Sequence, residues 1–342
     1  MLGPGNRCSE SQFSVDPLSR NDTLAFWITA PGRGELRREA VPAPSDGEAS
    51  VQALYSGVSR GTESLVFGGH VPPSEYERMR APFQTGQFPA PVKYGYANVG
   101  QVLEGPSQWV GKIVFCLYPH QQRYIVPCDA LYLLPELVPP SRAVLAANLE
   151  TALNGVWDSG AGPGDRVSVV GGGSVGCLAA WLLGRMPGCE VELVDINAQR
   201  ASIAQALGVK FTLPARARAE ADVVLHASGS ADGLAVALRI AGFEATVVEL
   251  SWYGDRPVTV ALGESFHSRR LVLRSSQVGA VAEARRARWS HRRRMETALS
   301  LLTDPALDAL INSEGCLEAL PQTLQQLSRR PGDVIMHRVK YD

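Results

Sequence analysis

The stretch RVSVVGGGSVGCLAAWLLGRMPGCEVELVD, residues 166–195, decides the fold of this chain. Its first apolar run meets the pattern G-x-G-x-x-G at Gly171, Gly173 and Gly176, and a helical pattern and a second β-rich run follow. The second run ends on an acid, Asp195, 19 residues after the last glycine. A strand, a glycine turn, a helix, a second strand and an acid in this order predict a dinucleotide-binding unit.

Each glycine has a physical role in such a unit. Gly171 permits the tight turn, Gly173 lets the backbone approach a pyrophosphate, and Gly176 lets the helix pack closely on the strand. The backbone N–H groups at the helix start, at Ser174 and Val175, would face the phosphate oxygens. We therefore predict that these five residues bind the cofactor.

The acid after the second strand predicts which cofactor binds. The carboxylate of Asp195 can accept hydrogen bonds from a ribose diol, and its charge would repel a 2′-phosphate. Arg200 follows five residues later, and an arginine at that place could instead bind the 2′-phosphate. We predict NAD, with NADP as the less favoured alternative.

Composition excludes several classes of function. The chain has 342 residues and a formal net charge of −1, which gives no global field that favours nucleic acid or an anionic membrane. No apolar run reaches the roughly 18 residues that span a bilayer. The six cysteines are scattered without a C-x-x-C pair, which favours a reducing compartment. We predict a cytoplasmic protein with a small-molecule substrate and with no nucleic-acid or membrane partner.

The periodicity of the chain divides it into regions. Residues 1–22 are polar, lack the apolar core of a secretory signal, and are predicted to be disordered. Short β-rich runs between Pro and Gly turns at 23–150 predict a β-rich substrate domain. Strands and helices alternate at 151–285, which predicts an α/β, doubly wound parallel sheet of the Rossmann type. Residues 286–342 are expected to return to the first domain, leaving a cleft between the domains.

Local motifs give the chain a resemblance to the medium-chain dehydrogenase/reductase superfamily, the alcohol dehydrogenase-like proteins. The loop SGVSRGTE (56–63) resembles that family's C-G-[IV]-C-x-[ST]-[DE] segment, and KYGYANVGQVLEG (93–105) resembles its P-G-H-E-x-x-G-x-V segment. PGDRVSVVGGGSVG (163–176) is similar to the family's entry into the nucleotide fold. The resemblance implies a GroES-like first domain, a nicotinamide cofactor and hydride transfer.

The positions that match the family's zinc ligands carry other residues here. Ser59 stands where the first cysteine would be, Tyr96 and Ala97 replace the His-Glu pair, and Ala147 is at the third position, with Glu150 nearby. Hydroxyl, phenol and methyl groups cannot replace thiolate and imidazole at a four-coordinate Zn²⁺ site. The resemblance therefore implies a zinc-independent member with no metal site.

Without zinc, a side chain must supply the proton during hydride transfer. Tyr96 could donate from its phenol, or could merely pack at a domain interface. His120 has a pKa suited to proton transfer, or could be a turn histidine bonded to backbone. Glu63 could orient either residue, or could cap a helix that begins near it.

The resemblance also implies further cofactor contacts. Arg60 matches a position that contacts the pyrophosphate, Thr151 one that packs on the nicotinamide ring, and Ser228 lies in the HASGS turn after a later strand. Glu150 could be a buried acid or base with a raised pKa, or could cap a helix turn. We include all four residues among the candidate site residues.

Two further features are left without a firm role. The run RRARWSHRRR, residues 285–294, is expected to form a solvated loop and helix face, with contact to an anionic ligand as the alternative. The family resemblance suggests a homodimer through a sheet edge near residues 265–279.

Together these observations predict a zinc-independent, NAD(H)-dependent oxidoreductase that acts on an alcohol or carbonyl of a small organic substrate. An NADPH-dependent reductase of activated C=C bonds, of the quinone type, is the enzymatic alternative. A non-catalytic NAD-binding protein is the other alternative, because a fold does not by itself imply an activity.

Overall fold

The computed structural model describes residues 22–329 and 332–341. The predicted disordered segment, residues 1–22, lies outside this part of the chain except for Asp22, which begins the first strand. The described residues form two compact units: unit 1 runs up to Val144 and resumes at Ser313, and unit 2 is Leu145–Asn312.

The strands and helices alternate along the chain much as the periodicity predicts. The strands are β1 (Asp22–Ala30), β2 (Arg33–Ala40), β3 (Glu48–Val58), β4 (Thr85–Gly86), β5 (Val92–Lys93), β6 (Asn98–Glu104), β7 (Ile113–Cys116), β8 (Arg123–Pro127), β9 (Tyr132–Leu133), β10 (Arg166–Val170), β11 (Glu190–Val194), β12 (Lys210–Thr212), β13 (Ala221–His226), β14 (Ala241–Glu249), β15 (Val272–Ser275), β16 (Ile311–Cys316) and β17 (Met336–Lys340). The helices are α1 (Arg60–Phe67), α2 (Ala146–Ser159), α3 (Ser174–Leu183), α4 (Arg200–Leu207), α5 (Ala231–Ile240), α6 (His291–Leu301) and α7 (Leu320–Arg329).

Unit 1 is built on two sheets. One has the strand order β2-β1-β5-β4, and the other has the order β16-β17-β3-β6-β7-β9 with β8 paired to β3. The long strand β3 pairs antiparallel with β17, β6 and β8, so it holds the second sheet together. Apolar side chains of these strands, including Val51, Val102 and Val126, are fully buried and form its core. The predicted β-rich domain is therefore present in the fold.

Unit 2 contains one six-stranded sheet of order β12-β11-β10-β13-β14-β15, and its paired strands are parallel. Strand β10 is buried on both faces, because Val167, Ser168, Val169 and Val170 are all buried. Strand order reverses between β10 and β13, which is the switch point where ligands bind in such folds. The predicted doubly wound α/β fold is confirmed.

The boundaries of the two units correct the sequence-based ones. Unit 2 begins at Leu145 rather than at residue 151, and the chain returns to unit 1 at Ser313 rather than at residue 286. The physical reason is that α6 packs on α2, where Arg294 of α6 forms a buried ion pair with Glu150 of α2. Residues 286–312 therefore complete unit 2.

The outer strand β15 is the exposed edge of the parallel sheet. All four of its residues are exposed, including the apolar side chains of Val272 and Leu273. Such an edge presents unpaired backbone N–H and C=O groups to another chain. Elsewhere, none of the helices among residues 22–329 and 332–341 is long and apolar enough to cross a bilayer.

Candidate active site

Helix α1 provides the first part of the site in unit 1. The sequence analysis treats residues 56–63 as a loop, and this is wrong from Arg60 onward, because Glu63, Val66 and Phe67 are buried at helical spacing and fix a helix there. Ser59 is the N-cap residue, and its backbone N–H donates to Glu63 Oε1 at 2.7 Å. Glu63 therefore does cap the helix, as one of the two alternatives predicts.

The other carboxylate oxygen of Glu63 contacts His120, which is the contact that the second alternative, an orienting role, requires. His120 Nε2 lies 2.8 Å from Glu63 Oε2, and His120 Nδ1 lies 2.7 Å from Ser56 Oγ. Ser56 Oγ in turn lies 2.8 Å from the hydroxyl of Tyr341. These four side chains form one continuous chain of hydrogen bonds, which we call the buried relay.

The donors in the buried relay follow from the chemistry of its ends. An ionised Glu63 can only accept, so His120 Nε2 carries the proton and Nδ1 accepts from the Ser56 hydroxyl. Burial raises the pKa of Tyr341 above its ordinary value, so its hydroxyl remains a donor to Ser56. His120 is 1% exposed and both ring nitrogens are engaged, so it acts on a ligand only through its neighbours.

Tyr96 lies beside the buried relay in the segment between β5 and β6. Its phenol forms hydrogen bonds with the side chains of Ser59 and Thr62, and its ring packs edge-on against Tyr94 with centroids 5.9 Å apart. Burial and the negative charge of Glu63 raise the pKa of Tyr96 well above its ordinary value. The phenol is therefore protonated at neutral pH and can donate a proton, and it is less buried than His120.

The structure thus brings together three of the predicted candidates, Tyr96, His120 and Glu63. The sequence analysis missed Ser56 and Tyr341, which complete the buried relay. These two side chains are 285 residues apart in the sequence, and no local sequence pattern predicts such a pairing.

The residues that replace the zinc ligands do not supply a metal-binding set. In unit 1, the Ser59 side chain and the Tyr96 phenol bond to each other, and neither is a ligand that structural or catalytic zinc prefers. Within residues 22–329 and 332–341, no group of three or more His, Cys, Asp or Glu side chains could hold a metal ion.

The glycine-rich turn in unit 2 has the geometry that its sequence predicts. Gly171 has φ +111°, and an added Cβ would lie 2.5 Å from the backbone nitrogen of Ser228. A Cβ on Gly176 would lie 1.8 Å from the Gly171 carbonyl oxygen, so only glycine lets α3 start this close to β10. Both positions therefore require glycine for backbone reasons.

Gly173 is different, because its missing side chain leaves open space. An added Cβ there would meet no atom within 4 Å, although Gly173 is the N-cap of α3. Ser174 and Val175 follow as the first two residues of the helix. This open approach to a helix N-terminus fits a diphosphate group.

Asp195 lies directly after β11 and is held against the same turn. Its Oδ2 accepts from the Gly172 N–H at 2.6 Å, and its Oδ1 accepts from the Asn197 N–H at 2.7 Å. Arg200 begins α4, is buried, and lies beside Gly172. Both residues weighed for the choice between NAD and NADP are therefore next to the glycine turn.

The remaining predicted contacts are dispersed. Thr151 lies in α2 with its Oγ1 donating to the Ala147 carbonyl at 3.0 Å, and Arg60 Nη1 donates to the Val334 carbonyl at 3.1 Å within unit 1. Ser228 is exposed in the turn after β13. Contacts of these residues with a cofactor stay predictions.

Glu150 forms an ion pair, which changes its expected role. Arg294 Nε donates to Glu150 Oε1 at 3.0 Å, and both side chains are buried. Burial raises the pKa of Glu150, and the guanidinium of Arg294 partly offsets this rise. Because Glu150 lies inside α2, it is not a helix cap, and its carboxylate is occupied by a structural partner.

The basic run at residues 285–294 is solvated only in part. Its exposed members are Arg285, Arg286, Arg288, Arg292 and Arg293. Arg294 corrects the expectation of a fully solvated face, since it is 1% exposed and binds Glu150, Asn154 and two backbone carbonyls. The spacing of Arg294 with Met295 and Ala298 on the buried side of α6 explains why it turns inward.

Comparisons with known proteins find relatives by sequence and by fold. No profile of a known protein family matches the sequence. Among curated proteins, the chain is 25% identical over 290 residues to D-guloside 3-dehydrogenase of Escherichia coli K12, a match that covers 76% of this chain and 83% of the relative.

Solved structures show the same fold. A dehydrogenase of the zinc-binding type from Sinorhizobium meliloti 1021, bound to NADP, matches with a TM-score of 0.75 at 18% identity and covers 94% of this chain and 100% of its own. Acetophenone reductase from Geotrichum candidum, in complex with NAD, matches with a TM-score of 0.75 at 14% identity and covers 95% and 98%.

These likenesses confirm the predicted architecture, the Rossmann and GroES-like fold of medium-chain dehydrogenase/reductase proteins. The named neighbours in both comparisons are dehydrogenases or reductases, which supports the prediction of an NAD(P)-dependent oxidoreductase. One of these solved neighbours holds NADP and the other holds NAD.

Proposed function

We propose that the chain is a zinc-independent, NAD(H)-dependent oxidoreductase that interconverts an alcohol and a carbonyl of a small organic substrate. The observation that carries this proposal is the glycine turn of unit 2, where Gly173 leaves open space and the neighbouring Gly172 N–H donates to the carboxylate of Asp195. When bound, the nicotinamide ring gives or accepts the hydride.

Asp195 supports the choice of NAD(H) within this proposal. Its carboxylate is fixed by two backbone N–H donors at the mouth of the turn, so its charge is held at the place where a ribose diol is expected. A 2′-phosphate there would face a fixed negative charge. Arg200 is the group that would oppose this preference, because its positive charge lies beside the same glycine turn.

Tyr96 is the proposed proton donor when a carbonyl of the substrate is reduced. Its raised pKa keeps the phenol protonated, and hydrogen bonds with Ser59 and Thr62 fix its direction. Glu63 holds its charge near the phenol and is itself bound to His120 in the buried relay. The phenol therefore takes the role that a zinc ion would have in polarising the oxygen of the substrate.

The substrate class that we propose is a secondary alcohol of a polyhydroxylated compound. The curated relative from Escherichia coli is named for oxidation at position 3 of a D-guloside, and it matches over 76% of this chain. A panel of glycosides, polyols and simple secondary alcohols, each tested with NAD, would define the substrate range.

A paired titration with NADH and NADPH, followed by nicotinamide fluorescence, tests the cofactor proposal. We expect NADH to bind at least about 10-fold more tightly, which corresponds to about 1.4 kcal/mol. Asp195→Ala should remove most of this preference, whereas the control Asp222→Asn, an exposed carboxylate at the amino end of the sheet, should leave it unchanged.

Two outcomes of this experiment would contradict the proposal. A preference of the wild-type protein for NADPH would mean that Arg200 outweighs Asp195. Stoichiometric zinc in the same purified sample would refute the zinc-independent mechanism and the role given to Tyr96.

A further inference from the structure

A second constellation of side chains lies at the carboxyl ends of β13 and β14 in unit 2. His226 and Glu249 are register partners on these two parallel strands, and His226 Nδ1 lies 2.7 Å from Glu249 Oε2. The other ring nitrogen, Nε2, lies 2.6 Å from Ser228 Oγ. A hydroxyl, an imidazole and a carboxylate are therefore linked in the order that an activated serine requires.

The three side chains differ in solvent exposure in the way that nucleophilic catalysis needs. Ser228 is exposed, while His226 has no exposed surface and the Glu249 side chain is 14% exposed. The serine is therefore a surface residue, whereas the base and its orienting acid are shielded from water.

Further donors fix the carboxylate. Glu249 Oε1 accepts from the Ser251 N–H at 2.7 Å, and Glu249 Oε2 accepts from the Tyr253 hydroxyl at 2.9 Å. Burial alone would raise the pKa of Glu249, but hydrogen bonds from His226 and Ser251 bring it below its ordinary value. An anionic Glu249 holds the proton on His226 Nδ1, so Nε2 is left basic and accepts from the Ser228 hydroxyl.

The backbone around Ser228 is a sharp connection from strand to helix. β13 ends at His226, Gly229 adopts φ +65°, and α5 begins at Ala231. An added Cβ on Gly233 would lie 2.1 Å from Ser228 Oγ, so glycine is what allows α5 to start this close to the serine. A serine on a strand–turn–helix connection above a parallel sheet is a recurrent position for a nucleophile.

We propose that Ser228, His226 and Glu249 form a second catalytic centre, which transfers acyl groups from small activated carboxylic esters to water. Ser228 Oγ bonds to the acyl carbon, and the bond from that carbon to the alcohol oxygen breaks. His226 Nε2 takes the hydroxyl proton and returns it to the leaving alkoxide. Water then attacks the acyl-serine, His226 takes a proton from the water and restores it to Ser228, and the carboxylic acid leaves with no change of oxidation state.

This centre is independent of the proposed oxidoreductase function. Its geometry is present without a cofactor, and a missing ester hydrolysis would leave NADH binding and alcohol oxidation unaffected. Because Ser228 is also a predicted cofactor contact, the assay uses the full chain free of nicotinamide nucleotides.

Hydrolysis of p-nitrophenyl acetate by the full chain is the test. We expect a burst of p-nitrophenol that matches the number of chains, and an acetyl adduct on the peptide that contains Ser228. Ser228→Ala and Glu249→Gln should each lower the rate by about 100-fold or more. Ser202→Ala, an exposed serine on α4, is the matched control and should keep the wild-type rate.

A Ser228→Ala variant that hydrolyses the ester at the wild-type rate would overturn the proposal, as would an adduct confined to other residues. Labelling of the wild-type chain with a fluorophosphonate decides the matter even if a variant fails to fold. Stoichiometric labelling of Ser228 supports the proposal, and labelling no faster than that of Ser202 refutes it.

Discussion

The buried imidazole of His337 on β17 makes the stability of the protein sensitive to mild acid. Its Nδ1 bonds to Ser313 Oγ at 2.8 Å, while its Nε2 is buried with no hydrogen-bond partner among the described residues. Burial, and the nearby His120, lower the pKa of His337 from 6.5 to about 4. His337 therefore binds a proton less readily in the folded protein than in the unfolded chain.

The size of the effect follows from the two pKa values. The unfolded chain binds a proton as the pH falls through 6.5, whereas the folded protein does so only near pH 4, so this contribution to stability is present above pH 6.5 and is lost below it. At pH 5 the loss is about 2 kcal/mol relative to pH 7, and at pH 4 it is about 3 kcal/mol.

A variant comparison isolates this contribution from the titration of other groups. His337→Asn keeps a polar group near Ser313 and does not titrate. The free energy of unfolding in urea should therefore fall less steeply in the variant than in the wild type as the pH is lowered. We expect the free energies of unfolding of the wild type and the variant, plotted against pH, to converge by about 2 kcal/mol between pH 7 and pH 5. The exposed His267→Asn is the control and should run parallel to the wild type.

Parallel curves for the wild type and His337→Asn would refute this reasoning. They would show that the imidazole is protonated as easily in the folded state as in the unfolded chain. A direct measurement is available from the ring carbon shifts of labelled histidine, which should keep His337 neutral down to about pH 4.

Three further predictions test the site and the sheet edge. Tyr96→Phe should lower kcat by about 100-fold with little change in NADH affinity, and an unchanged kcat would remove Tyr96 as proton donor. Gly173→Val should weaken NADH binding by at least about 10-fold at an unchanged melting temperature, because its side chain fills open space; equal affinity would contradict the phosphate site. We propose a homodimer through β15, so the double variant Val272→Lys and Leu273→Lys should sediment as a monomer, and a wild-type monomer would refute this.

The sequence predicts the parallel sheet of unit 2 well because the constraints there are local. β10, the glycine turn and α3 follow one another without a break, and the roles of Gly171 and Gly176 depend on backbone atoms close by. The doubly wound order then follows from the alternation of strands and helices. Helix α1 was harder to predict, since it has only eight residues and includes Gly61, so its periodicity is weak.

The candidate sites are less predictable because their partners come from distant segments. The family resemblance indicates Tyr96 and Glu63, and the chemistry of imidazole indicates His120. The contact of His120 with Ser56, however, depends on how three strands of unit 1 pair. His226 and Glu249 could have been found from the sequence. His226 ends β13 and Glu249 ends β14, and the carboxyl ends of neighbouring parallel strands meet at one edge of the sheet.

The pairing of β17 with β3 has a consequence for biosynthesis. Unit 2 is an insertion in the sequence of unit 1, so the ribosome makes all of residues 145–312 before β17 emerges to pair with β3 and bring Tyr341 to Ser56. During translation the edge of β3 that awaits β17 lacks its partner and is open to non-native association. Unit 2, being continuous, can fold first, whereas the buried relay is completed only once Tyr341 has been made.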